Sequence, residues 1–201
     1  MKNSGTIEEH QRRKGKSMTT LEPIKNKTSD APQAIPADLS VWLDKRSIVS
    51  LVLDAVLTVE DSTLRPVAPA TAGIAFRPRT MLALLTYCYA MGIYGSEDIE
   101  EVMYRDAIFR HFCGNEFPDG KSLKRFRRYN QEAIQKCLEE VCSCASSVNS
   151  RRCDRVHRGP AGPPAGAGLA RYGDVERAEM AGEAERRIEQ AGWIDSMTLD
   201  D

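Results

Sequence analysis

Five cations and one acid fall within residues 119–130 of a 201-residue chain whose net charge is −1. In Pro118–Asn130, Lys121, Lys124, Arg125 and Arg128 recur at i, i+3, i+4 and i+7, the spacing of one face of an α-helix. Such a row can neutralise successive phosphates of a nucleic-acid backbone. It equally suits a solvated charged face. Leu123 and Phe126, continued by Ile134, Cys137, Leu138 and Val141, keep a second face apolar. One side of this helix is therefore expected in a core and another outside it. Asp119 stands where a carboxylate caps a helix start. Lys121, Ser122, Lys124, Arg125, Arg127 and Arg128 are the candidate DNA-contacting residues.

The other reactive side chains give weaker patterns. Cys142, Cys144, Cys153 and His157 would be four soft ligands for zinc. The C-x-C pair, however, lies on an expected helix, where i and i+2 point apart, and the usual zinc spacing is C-x-x-C. No metal or cofactor is assigned. A Cys–His nucleophile is no better supported, because of His10, His111 and His157 only His111 falls in an expected ordered segment. With no secretory signal, the six cysteines read as reduced thiols.

The basic helix needs elements to position it. Ser96–Tyr104 reads as a short helix with Ser96 as N-cap and acids in its first turn. Asp106–Cys113 is a second, ended by Gly114-Asn115. Two short helices and then a basic one is the order of helix-turn-helix DNA binders, although Gly114–Asp119 is a longer connection than usual. Arg77–Tyr94 is the most apolar segment. Pro78 suits a first helical turn, and Met81, Leu82, Leu84, Leu85, Cys88, Tyr89 and Met91 cover more than one stripe, as in a central buried helix. The segment is too short to span a bilayer, and no membrane partner is expected. Solvation or an acidic neighbour suits Arg77 and Arg79 better than phosphate at a helix start. In Leu39–Val59, Ser40 can cap a first turn, and Val49, Val52, Leu53 and Val56 form a helical stripe; the β-branched residues also allow strand. Glu60–Phe76 reads as loop, and the basic helix is expected to continue past Asn130.

The flanks differ in composition. Met1–Ala34 is polar with a basic cluster at Gln11–Lys16, and reads as a disordered arm. Gly159–Gly168 is a flexible Pro/Gly linker. Residues 171–201 hold nine acids and four bases. Asp174–Gly192 is a strong helix former whose apolar seam (Val175, Ala178, Ala181, Ala184, Ile188, Ala191) is thin. It needs a partner, either the core or a second chain.

The segment Arg77–Ile134 resembles the InsH-type N-terminal domain of bacterial insertion-sequence transposases. The resemblance rests on R-P-R before the apolar helix, Tyr89 and Gly92 at its end, S-x-x-I-E at Ser96–Glu100, Phe109, P-D before the basic helix, and F-R-R at Phe126–Arg128. It implies a helical region that precedes a catalytic domain with an Asp-Asp-Glu metal site and helps bind the element's terminal repeats. It favours helix for Leu39–Val59. Asp154 is not flanked by apolar strand residues, so no catalytic residue is carried over and the chain is not expected to be an enzyme. The acidic segment faintly resembles a helix that some members carry within the catalytic half. The expectation is an all-α protein: a disordered arm at 1–38, a helix-turn-helix-like domain at 39–148, a linker at 149–173 and a C-terminal helix at 174–194. Its expected partner is double-stranded DNA at transposon ends in a bacterial cytoplasm, with no small-molecule ligand. The alternatives are an interaction module or inhibitor pairing with itself or an intact transposase, or a non-functional remnant.

Overall fold

The computed structural model describes residues 34–67, 76–113, 117–157 and 169–197. Among these residues the regular structure is seven α-helices and two 3-10 turns, with no strand, so the fold is all-α. The cluster Gln11–Lys16, residues 114–116 and the Gly159–Gly168 stretch lie outside the described residues. So do the side chains of His111, Cys153, Asp154 and His157.

A 3-10 turn at Leu39–Val41 opens the described chain. Its cap is Asp38, which accepts the Ser40 N–H at 2.8 Å, so Ser40 is capped rather than capping. Helix α1, Lys45–Leu57, is capped by Asp44, which accepts the Ser47 N–H at 3.0 Å. It buries Ile48, Val52, Ala55 and Val56 against its neighbours, while Leu53 is exposed. The helical option over 39–59 is thus the observed one, with the stripe turned slightly from the expected set.

Helix α2, Pro78–Ala90, has proline in its first turn, where no N–H is missed, and every residue from Met81 to Ala90 is buried. Its end is a Schellman motif. Ile93 N–H reaches the Cys88 carbonyl at 2.8 Å and Gly92 N–H reaches Tyr89 at 3.3 Å. Gly92 supplies the positive φ of 75° that this turn requires.

Helices α3 (Ser96–Arg105), α4 (Ala107–Cys113) and α5 (Gly120–Tyr129) follow, and α3 packs against both of the others. The N-cap of α3 is Gly95, not Ser96, which is buried within the first turn. Asp106 accepts the Ile108 N–H at 3.0 Å and so starts α4. Tyr87 of α2 meets Phe109 of α4 edge-on, ring centroids 5.6 Å apart.

The basic helix does not run on. Asn130 breaks it, with φ −124° and ψ 27°. The Asn130 amide is drawn sideways: it accepts the Arg65 N–H at 2.7 Å and donates to the Arg65 carbonyl at 3.0 Å. A new helix, α6, covers Gln131–His157, past the expected boundary at 148. It buries the foreseen stripe Ile134, Cys137, Leu138 and Val141, extended by Cys142 and Ala145.

Helix α7, Leu169–Met197, packs along α6 and belongs to the same unit, residues 34–201. Its buried face is Met180, Glu183, Ala184, Arg187, Ile188, Ala191 and Asp195. Ala178, expected in the seam, is exposed. Three ionisable residues in the buried arc made this face look thin in sequence. No described helix is long and apolar enough to cross a membrane.

Candidate nucleic-acid interface

Helix α5 is held at its start by two carboxylates. Asp119 accepts the Ser122 N–H at 2.6 Å, and Glu100 from α3 accepts the Gly120 N–H at 2.8 Å. Both satisfy amides that a helix start leaves unpaired, and both place negative charge at the positive end of the helix dipole. The second also ties α5 to α3.

The outward side of α5 carries the spaced row. Lys121 and Arg128 are exposed, and Lys124 and Arg125 are half-buried. Lys124 Nζ lies 3.5 Å from a carboxylate oxygen of Glu97 in the first turn of α3. The inward side is Leu123, Phe126, Arg127 and Asn130, also spaced i, i+3, i+4 and i+7.

Two of the six candidates are buried. Ser122 is fully buried, and its hydroxyl has no hydrogen-bond partner among the described residues. Arg127 is 8% exposed. Its guanidinium donates to the Tyr89 Oη at 3.1 Å and forms a buried ion pair with Asp195 of α7. Burial works against the charge on Arg127, but Tyr89 and Asp195 outweigh it and its pKa rises. Burial likewise raises the Tyr89 phenol, against the pull of Arg127. The sequence did contain the signal: Arg127 and Asn130 share the helical phase of Leu123 and Phe126.

Asp195 binds two elements at once. Besides Arg127 it accepts the Ser96 N–H at 2.8 Å and the Ser96 hydroxyl at 2.6 Å, at the start of α3. Two turns earlier on the same face, Arg187 donates to the Tyr89 carbonyl at 2.7 Å and the Pro36 carbonyl at 2.6 Å, while Glu183 accepts from it at 2.7 Å. A cation thus stands at the negative end of α2 and an anion at the positive end of α3, each matched to its helix dipole. Asp195 and Arg187 are functional candidates that the sequence reading did not single out.

Between α5 and α7 lies a groove of about 350 Å³. Lys124, Arg128 and Gln131 line one wall, and Glu189, Gly192 and Ser196 the other. A Cβ on Gly192 would meet nothing within 4 Å, so packing does not require glycine there. A second depression of about 740 Å³ adjoins the α5–α6 break, with Arg65, Arg128, Tyr129 and Lys136 among its walls. Arg128 borders both.

The remaining arginine and thiol expectations have definite placements. Arg79 forms an ion pair with Asp61 and donates to the Val59 carbonyl at 3.0 Å, which is the acidic-neighbour option. Cys88, Cys113, Cys137 and Cys142 are free and buried. Burial pushes the Cys142 thiol up to about 11. Among the described residues no group of three or more His, Cys, Asp or Glu could hold a metal ion.

Residues 42–129 match the family model described as transposase domain (DUF772). The matched segment contains α1 to α5 and ends on the last residue of the basic helix. No curated protein matches the chain, and no solved structure does.

Proposed function

We propose that the chain carries a DNA-binding module of the kind that precedes the catalytic domain in InsH-type insertion-sequence transposases, and that α5 lies against duplex DNA. The observation that carries this reading is the row Lys121, Lys124, Arg125 and Arg128. These cations stand on the outward side of a helix whose inward side is locked into the core. The similarity of residues 42–129 to a transposase domain supports the assignment. Ser122 and Arg127 act from within the fold rather than as contacts. Residues 39–148 form the module, and the docked α7 completes it. No cleavage step is placed on these helices, since strand transfer uses metal ions held by carboxylates of a different kind of core.

Because the net charge is near zero, affinity must come from this local patch. Four phosphate contacts give a log–log salt slope of about −3.6, hence about a hundredfold weakening between ~50 and ~200 mM salt. The test is a titration against duplex from the ends of a related insertion element, with a scrambled duplex as control, at both salts. Preference for the element ends supports the reading. Equal, salt-sensitive binding to both reduces it to a generic basic patch. Absence of binding to either sinks it.

One observation favours a second reading, an interaction module. Lys124 already pairs with Glu97, and the groove beside α5 has Glu189 on its far wall, so acidic protein surface can meet this row. The partner would then be an acidic face of another copy or of an intact transposase. Concentration-dependent self-association without DNA binding would select it.

A further inference from the structure

We infer that Asp195 is a positioning residue for DNA reading: one carboxylate on α7 fixes the angle at which α3 presents α5 to the duplex. This inference rests on the DNA-binding reading of α5. Three facts carry it. First, Asp195 is 4% exposed and both of its oxygens are engaged, one by the Ser96 N–H and the other by the Ser96 hydroxyl and the Arg127 guanidinium. Second, Ser96 and Arg127 stand on two helices that pack against each other: Ser96 opens α3, and Arg127 lies on the inward side of α5. Third, Arg127 sits two residues from Arg125 and directly before Arg128, so a change in its seat turns the whole outward row. Geometry of this kind matters because phosphate contacts set register on the duplex while base contacts read sequence.

Only a carboxylate serves both partners at once. Neutral Asn at 195 can still accept the Ser96 N–H. It offers no charge to a guanidinium that burial has already removed from water, and a buried charge left alone is strongly disfavoured. The guanidinium must then leave its seat, and α5 moves with it. Lysine at 127 would keep the charge and lose the planar fork that spans Tyr89 and Asp195.

The experiment compares wild type with D195N, R127K and S96A in the two-duplex titration, alongside amide hydrogen exchange of the free protein. The four outward cations are untouched in every variant, so the salt slope on scrambled duplex should stay as in wild type. Preference for the element ends should fall at least tenfold in D195N and R127K, and by less in S96A. Exchange at Ser96 and along Leu123–Arg127 should quicken at least tenfold in D195N, with α1 unchanged. A folded D195N with wild-type preference and wild-type exchange overturns the inference. If wild type binds neither duplex, the function reading has failed. The exchange pattern alone then decides whether Asp195 sets α5, and equal exchange rejects it. If D195N does not fold, S96A and R127K carry the same readouts, and wild-type behaviour in both rejects the inference.

Discussion

At the scale of single residues, polar side chains in this protein divide into those that serve solvent and those that serve the fold. Lys121 and Arg128 are of the first kind. On the proposed DNA-binding reading, changing both to Ala should weaken binding to every duplex alike and make the salt slope shallower by about 1.8, the value for two phosphate contacts. Thermal melting should barely change, since exposed charges contribute little to stability. Ser122 is of the second kind. Its buried hydroxyl is unpartnered among the described residues, so S122A should leave DNA affinity unchanged and hold or raise stability, by up to about 1 kcal/mol in urea unfolding. Asp106 also serves the fold. The Ile108 amide, helped by Lys45 at 3.2 Å, lowers its pKa. A depressed carboxylate adds stability above its unfolded value, and this is lost as pH falls through the folded one. D106N should therefore be less stable than wild type near neutrality and converge with it in acid, as measured by unfolding between pH 7 and 3.

At the scale of elements, α7 shows most clearly what a sequence hides. Removing Arg187 would take from Glu183 its buried ion partner, leaving it the largely exposed Arg186, and leave the end of α2 without its donor. R187A should cost about 3–5 kcal/mol in equilibrium unfolding, the range for breaking a buried pair. R186A, whose side chain is 72% exposed although it also reaches Glu183, should cost under about 1 kcal/mol. Periodicity made α2, α3 and the apolar side of α6 readable, because their buried arcs are mostly apolar. The cations of α5 were equally legible from spacing. The docking face of α7 was not, because Glu183, Arg187 and Asp195 are polar by type, and Arg187 and Asp195 meet partners about a hundred residues away while Glu183 is buried through Arg187. The break at Asn130 was hidden for the same reason: its amide is claimed by Arg65, 65 residues earlier. Ser96 resembled a cap by composition, yet the carboxylate that accepts its amide comes from another helix.

At the scale of the whole molecule, the core carries a chemical signature in its thiols. Burial pushes Cys113 and Cys142 up to about 11 and Cys137 up to about 12. In an unfolded chain these groups titrate near about 8.5. Between those values the unfolded state sheds protons that the native state keeps, so stability must fall as pH rises. Melting temperature should decline from pH 8 to pH 10, and less steeply in C142A than in wild type. Alkylation at pH 8 should spare these three cysteines until the protein is unfolded, because the reactive thiolate is scarce. The reach of α7 has a consequence during synthesis. The Arg187 guanidinium binds the Pro36 carbonyl across 151 residues of sequence, and Asp195 closes the start of α3 across 99. While a ribosome is still extending the chain, α1 to α5 can emerge and collapse, but their buried polar ends wait for residues made about a hundred positions later. A nascent domain of this design would hold its basic helix loosely until Asp195 has left the ribosome, and so reach its final packing late in synthesis.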